Sequence, residues 1–306
     1  MGSARPEAGT VLGCGRMGGV NRDDEGGSMS GRSLGLHQIT AMEAGPVDLV
    51  SIAAATGCQQ VCVFTHVPDI ALPDQRGIVS FPLVTAAILP QMRTRLRDCA
   101  VSVSNIEFFP VAPDVPVERY DGAFALGHEL GAARAVTHVH DPVDARAVDT
   151  LGRLSDLAAT HGLSLGLEFM GLTPACDSVA RAVWFVDQVA RPNLGIAVDA
   201  LHLVRTGGTP ADVAAVPARY FAYAQICDGH GLHRATDYLP EALDRVMPGD
   251  GDFPLHAILE AVPAATALDV EVPSVKLAQA GIAAVDRARE AVRRARALLA
   301  SATPAR

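Results

Sequence analysis

Aromatic side chains are scarce in this sequence, which has one Trp, four Tyr and nine Phe among 306 residues. Ala, Val and Leu dominate instead, which is typical of short buried parallel strands covered by helices. The six cysteines include no Cys-x-x-Cys pair, and several, such as Cys62, stand inside apolar runs. They therefore indicate small buried side chains in a reducing compartment and argue against a disulfide framework or a zinc-thiolate site.

Positive charge and long apolar runs are also limited. The formal net charge is -9, and the arginines concentrate only near the C-terminus, at helical spacing typical of a solvated helix face. Such an acidic chain attracts nucleic acid poorly, so no nucleic-acid partner is expected. No apolar run approaches the roughly 20 residues that cross a bilayer, and the first 15 residues do not resemble a signal peptide. We expect a cytoplasmic protein that does not bind membranes.

Residues 1–33 differ from the rest of the chain. They are rich in Gly, Ser, Arg and Asp without sustained periodicity, which predicts a disordered leader, with Met29 as an alternative start. Gly13–Gly18 matches the dinucleotide pattern GxGxxG, but the following residues do not form the helix that this site requires. The prediction is a leader over 1–33 and a single catalytic domain over 34–306.

From Leu34 onward, short apolar runs alternate with longer amphipathic segments. The predicted strands are Leu34–Ile39, Gln60–Phe64, Ala100–Phe108, Ala135–Val139, Ser164–Phe169, Gly195–Val198, Tyr220–Ile226 and Ala267–Val272. The predicted helices are Pro46–Thr56, Pro82–Arg97, Val117–Gly131, Pro142–His161, Asp177–Val189, Pro210–Val216, Phe253–Ala261 and Ser274–Leu299. Eight alternating pairs favour a (β/α)8 TIM barrel, and an open doubly wound sheet is the alternative.

Polar residues stand at the ends of the last four predicted strands. These residues are Glu168, Asp199, Gln225 and Glu271. The active site of such a barrel lies at the carboxyl ends of its strands, and a buried charge there is costly unless it is paired or binds a metal. The four residues are therefore predicted to hold one divalent metal ion.

The chemistry of this set indicates which metal is expected. Three carboxylates and one amide oxygen favour Mn²⁺ or Mg²⁺, with Co²⁺ or Zn²⁺ as alternatives. Pairing of one or two carboxylates with Arg205, Arg234 or Lys276 is the competing interpretation. It would account for a single acidic residue but not for four consecutive strand ends.

Three histidines are further candidates. His202 follows Asp199 by about one helical turn, so it could donate to substrate, act as an acid or base, or orient a carboxylate ligand. His66 and His140, near the ends of the second and fourth strands, could contact substrate.

From about Leu36 to its end, the chain resembles the xylose isomerase-like barrel superfamily, which includes sugar isomerases, epimerases, 3-dehydroshikimate dehydratases and endonuclease IV-type enzymes. The resemblance lies in Leu167-Glu-Phe, Val198-Asp-Ala-Leu-His-Leu-Val-Arg205, Gln225-Ile-Cys-Asp228, Met247-Pro-Gly-Asp-Gly251 and Val270-Glu-Val-Pro-Ser274. It implies a metal on the same four residues, with His202 and Arg234 or Arg245 contacting substrate. Many epimerases of the group have His at the seventh-strand position, whereas Gln225 resembles some dehydratases and inositol-pathway enzymes.

The expected activity is a metal-dependent isomerisation or epimerisation of a small polyhydroxylated carbonyl compound, such as a sugar or an inosose. Glu168 and Glu271 would remove and return a proton next to the carbonyl, with His202 as the third catalytic residue. A lyase of the 3-dehydroshikimate dehydratase type is the first alternative, followed by an endonuclease IV-like phosphodiesterase and a non-catalytic binding barrel. A homo-oligomer is compatible with the sequence.

Overall fold

The computed structural model describes residues 32–66 and 82–301. Nearly all of the predicted leader, residues 1–31, lies outside the described residues, as do residues 67–81 and 302–306.

Eight parallel strands form a closed barrel in the described part of the chain, in the order β1 to β8. They are β1 (Leu34–His37), β2 (Gln60–Phe64), β3 (Ser102–Glu107), β4 (Arg134–Thr137), β5 (Ser164–Glu168), β6 (Leu194–Asp199), β7 (Phe221–Ile226) and β8 (Leu268–Val270). Strand β8 pairs with β1 and closes the sheet. The barrel prediction is confirmed, and the open-sheet alternative is wrong.

Helices follow the strands and cover the outside of the barrel. They are α1 (Pro46–Thr56), α2 (Leu89–Cys99), α3 (Asp121–Leu130), α4 (Asp144–Thr160), α5 (Val179–Val189), α6 (Ala200–Arg205), α7 (Pro210–Ala214), α8 (Leu239–Ala242), α9 (Leu255–Ala261), α10 (Val275–Gln279) and α11 (Ala284–Ser301). Short 3₁₀ helices span Gln38–Ala41, Val117–Tyr120 and Ala218–Tyr220. Among the described helices, none has the length and apolar character that a bilayer crossing requires.

Two predicted helices differ from the structure for local reasons. The second helix begins at Leu89 and not at Pro82, with Pro90 in its first turn, where a missing backbone N–H costs nothing. The last predicted helix is divided into α10 and α11, and Gly281 between them has a φ of 81°. A left-handed residue cannot continue a right-handed helix, so the chain turns there.

The arginines of α11 were predicted to form a solvated helix face, and Arg287 departs from this prediction. Arg287 is buried and both oxygens of Glu43 accept from its Nη2, whereas Arg289 and Arg293 pair with acidic residues on the exposed side. The five described cysteines are all free, and the prediction of small buried side chains is confirmed for Cys58, Cys62, Cys176 and Cys227, whereas Cys99 is half-buried.

Candidate metal centre and active site

The barrel brings the four predicted ligands to one end of its interior. Strand β5 ends at Glu168 and β6 ends at Asp199, and Gln225 is the neighbour of Asp199 across the β6–β7 pair. Glu271 follows β8, and its backbone N–H donates to Ile226 at the end of β7. Because parallel strands end at the same rim, residues far apart in sequence meet there.

Three carboxylates form a compact buried group. One carboxylate oxygen from each of Glu168, Asp199 and Glu271 lies within 4.8 Å of the other two. Gln225 donates from Nε2 to Glu271, while its buried Oε1 has no hydrogen-bond partner among the residues that the structure describes. An orphaned amide oxygen beside three crowded carboxylates matches the all-oxygen donor set that hard divalent cations prefer. These four residues therefore fit a divalent metal ion.

Burial and mutual repulsion change the acidity of this group. Burial, followed by the charge of Asp199, raises the pKa of Glu168 well above its usual range. Burial is also the main cause that raises the pKa of Glu271 to about 8. Burial opposes ionisation of Asp199 too, but the guanidinium of Arg245 lowers its pKa. The group holds negative charge only with a cation nearby.

Arg245 supplies one such cation. Its Nη1 lies 2.6 Å from Asp199 Oδ2, and its Nη2 lies 2.7 Å from Glu271 Oε1. Arg245 was predicted to bind substrate, and the structure places it in the cavity wall with both amino groups on predicted metal ligands. When ionised, three carboxylates and one guanidinium leave two negative charges, which one divalent cation balances.

His202 lies beside the carboxylates on the first turn of α6. Its backbone N–H donates to Asp199 Oδ1 at 3.0 Å, so the predicted ligand also caps this helix. On the imidazole, Nδ1 lies 2.7 Å from the hydroxyl of Tyr238, and Nε2 lies 3.9 Å from Glu168 Oε1. The structure thus brings His202 to the same site as the predicted ligands.

Three further residues of the site, His138, Glu107 and Tyr238, were not predicted from the sequence. The Nε2 of His138 lies 2.8 Å from Glu168 Oε2, and its ring stacks on Phe108 with the centroids 4.7 Å apart. Glu107 ends β3 and His138 follows β4 by one residue, so the strand-end rule would have found both. Tyr238 comes from the long connection after β7, where no periodic pattern signals its position.

A cavity of about 90 Å³ lies over these groups. Its described lining combines the polar site with an apolar wall of Ile39, Phe64, Phe108, Met170, Leu172, Leu239, Ala242 and Leu243. A larger cavity of about 420 Å³ lies outside the barrel, where Asp212 is the titratable residue of its described lining. The smaller cavity is the candidate active site, since chemistry requires several convergent polar groups.

Three predicted substrate contacts lie outside the described lining of this cavity. The ring of His66 stacks on Phe109 at 5.9 Å, and His140 lies behind His138 with ring centroids 6.2 Å apart. The exposed side chain of Arg234 is 3.5 Å from Asp177. The assignment of these three residues to substrate remains a prediction.

The competing interpretation, in which the strand-end carboxylates pair with Arg205, Arg234 or Lys276, named the wrong partners. In the structure Arg205 pairs with Glu241, and Lys276 pairs with Asp244.

A second group with metal-ligating side chains lies nearby, formed by His37, Cys62 and Glu107. Against the effect of burial, the charge of Glu107 raises the pKa of His37 to about 10, so the ring is protonated, and its Nε2 lies 2.8 Å from Glu107 Oε2. Burial raises the pKa of the Cys62 thiol well above its usual value, which keeps the sulfur protonated. With a protonated Nε2 and a thiol, this group suits a metal poorly. We refer to its two interacting side chains, His37 and Glu107, as the His37–Glu107 pair.

Comparisons with known proteins give relatives of several activities. Over 152 residues, the chain is 28% identical to a 3-dehydroshikimate dehydratase of Pseudomonas aeruginosa, covering 48% of this chain and 24% of the relative. Over 126 residues, it is 29% identical to an inosose isomerase of Bacillus subtilis, covering 40% of this chain and 44% of the relative. The matches thus span less than half the length of these curated relatives.

Solved structures share the fold at low identity. The structure of the IOLI protein with a bound zinc atom has a TM-score of 0.71 at 18% identity, covering 89% of this chain and 100% of that one. A D-psicose 3-epimerase structure has a TM-score of 0.65 at 16% identity, covering 88% of this chain and 100% of that one.

The family comparison covers most of the barrel. Residues 50–299 match the family described as xylose isomerase-like TIM barrel, a range that includes all four predicted metal ligands. On this match, the chain belongs to the xylose isomerase-like TIM barrel family.

Proposed function

We propose that this protein is a divalent-metal-dependent isomerase or epimerase of a small polyhydroxylated carbonyl compound, such as a sugar or an inosose. The observation that carries the proposal is the group of three buried carboxylates that share a single guanidinium, Arg245, beside His138 and His202 at the cavity.

Glu168, Asp199, Gln225 and Glu271 would hold the cation. Because all four would bind through oxygen, Mn²⁺ or Mg²⁺ is favoured over Zn²⁺. When bound, a divalent ion acts as a Lewis acid that stabilises negative charge developing on substrate oxygens.

Glu168 and Glu271 supply the proton chemistry. They come from β5 and β8, so they reach the cavity from different sides of the barrel end. A carboxyl with a pKa moved toward neutrality, as for Glu271 at about 8, is suited to exchanging protons near pH 7. One glutamate removes a proton from the carbon next to the carbonyl, and the other returns it to a different face or atom.

The charges of the cavity favour isomerisation of a neutral compound over dehydration of an acidic one. In the described lining, Arg245 is the residue with a permanent positive charge, and Asp199 and Glu271 occupy both its amino groups. Burial lowers the pKa of His138 to about 4 and that of His202 to about 3, so both rings are neutral. A substrate carboxylate, as in 3-dehydroshikimate, would find no uncommitted cation among these residues.

The two activities are separated by one experiment. Manganese-loaded protein is incubated in D₂O with D-fructose, an inosose and 3-dehydroshikimate, and the products are identified by NMR. We expect deuterium next to the carbonyl of a neutral substrate, with formation of its isomer or epimer. A shielded site could return the same proton, so a primary isotope effect with α-deuterated substrate is measured as well. Dehydration of 3-dehydroshikimate without turnover of either neutral compound would overturn the proposal.

A further inference from the structure

Tyr238 connects three consecutive strand-end segments beside the cavity. It lies in the segment between β7 and α8 and is 2% exposed. Its hydroxyl oxygen is 2.8 Å from the backbone nitrogen of Gly171, which follows β5, and 2.7 Å from Nδ1 of His202 on α6. A Cβ atom on Gly171 would lie 3.1 Å from Tyr238 Cε1, so the glycine permits this close approach.

The direction of both hydrogen bonds follows from the groups involved. A backbone N–H only donates, so the Tyr238 oxygen accepts from Gly171. Among the described residues, Nδ1 of His202 is the other hydrogen-bond partner of this buried hydroxyl, and a buried O–H without an acceptor is costly, so we assign the hydroxyl proton to the bond in which Nδ1 accepts. A neutral imidazole carries one proton, and with Nδ1 as an acceptor that proton is on Nε2.

The other ring nitrogen of His202 is directed toward the candidate active site. His202 and Glu168 both line the cavity, and Nε2 lies 3.9 Å from Glu168 Oε1, which is beyond hydrogen-bond distance. The Nε2–H group therefore remains available to a ligand oxygen.

We infer that Tyr238 is a positioning residue that fixes His202 as an Nε2–H donor to an oxygen of the bound substrate. In this state His202 has no lone pair toward the cavity, so it cannot remove a proton from carbon. The base is then one of the glutamates. This last step depends on the proposed function, whereas the position of the ring proton does not.

The proton position is measured directly in the full chain labelled with ¹⁵N-histidine, both metal-free and loaded with Mg²⁺. Two-dimensional correlation of ring nitrogens with ring carbon-bound protons distinguishes protonated from unprotonated nitrogen, and the spectrum of His202→Gln identifies the His202 signals. We expect Nδ1 of His202 at the unprotonated position and Nε2 at the protonated one. A protonated Nδ1 in the wild-type protein overturns the inference without any Tyr238 variant.

Tyr238→Phe then tests the origin of this state. Loss of the hydroxyl should shift the His202 nitrogen signals toward the average of the two tautomers and reduce kcat by about tenfold, corresponding to one hydrogen bond of ~1.4 kcal/mol, with a smaller change in KM. Tyr220→Phe is the matched control, because its hydroxyl bonds to Asp187 away from the cavity. Unchanged His202 signals in folded Tyr238→Phe would overturn the role of Tyr238. Absence of turnover with the expected signals would contradict only the proposed function.

Discussion

The ends of β5 to β8 and the ends of β1 to β3 both bury acidic side chains, but their charge balance differs. Around Glu168, Asp199 and Glu271, three carboxylates meet one guanidinium. In the His37–Glu107 pair, one carboxylate meets one imidazole, whose pKa it raises to about 10 against the effect of burial. Buried charge is tolerated only when it is compensated, so the first group either holds protons or takes up a further cation, whereas the charges of the second group cancel. Geometric proximity of ligand atoms alone would not separate the two groups.

The largest effect of disturbing this difference is expected at Arg245. Arg245→Met removes the cation between Asp199 and Glu271 and leaves the buried charge of Asp199 uncompensated, which should lower the free energy of unfolding of the metal-free protein by about 3–5 kcal/mol. Saturating Mg²⁺ should restore part of the loss, because the cation again balances the charge. Denaturant unfolding with chelator and with Mg²⁺ gives both values.

Arg234→Met is the control for this experiment. Arg234 is exposed beside Asp177, so its loss should change the free energy of unfolding by less than about 1 kcal/mol. Equal destabilisation of Arg245→Met with and without Mg²⁺ would show that the cation does not balance these carboxylates.

The next effect, on the activation free energy of turnover, is expected for the glutamates. Glu168→Gln and Glu271→Gln each remove a charged ligand and a proton carrier, so turnover should fall by about 10²-fold or more, which corresponds to ~2.7 kcal/mol. Elemental analysis should show less bound metal in both variants. In Glu107→Gln, the matched change in the His37–Glu107 pair, metal content should remain that of the wild type. Unchanged metal content in both Glu168→Gln and Glu271→Gln would rule out the proposed metal site.

The smallest effect is the pH dependence of metal binding. Burial raises the pKa of Glu271 to about 8, so this carboxyl holds a proton at pH 7 in the metal-free protein, and burial raises the pKa of Glu168 in the same direction. A cation must displace such protons, so apparent affinity should rise as pH increases from 6 through 8. Calorimetry in two buffers of different ionisation enthalpy should detect release of about one proton or more per ion at pH 7. Metal binding that releases no protons and is independent of pH would contradict the raised pKa values of these two glutamates.

The sequence predicted the barrel and the four strand-end residues that meet at its end because both depend on local pattern. A charge such as Glu168 at the end of an apolar run is conspicuous, and parallel strands bring such ends together without further information. Glu107 and His138 obey the same rule but were not predicted. The prediction therefore reached the four proposed ligands but not all the side chains around them.

Other parts of the site depend on tertiary structure. Arg245 and Tyr238 belong to the long connection between β7 and β8, whose path follows from packing and not from periodicity. Arg245 was assigned to substrate on the family resemblance, and its pairing with Asp199 and Glu271 depends on distances that the sequence does not contain. The donor state of His202 likewise requires the hydroxyl of Tyr238, which is 36 residues away.

The central claim is that the excess negative charge at β5 to β8 marks the metal site, and crystals of the manganese-loaded protein test it most directly. Anomalous scattering from manganese should give one peak per chain, with oxygens of Glu168, Asp199, Gln225 and Glu271 at roughly 2.0–2.4 Å. A peak at the His37–Glu107 pair, or no peak within reach of the three carboxylates, would contradict it.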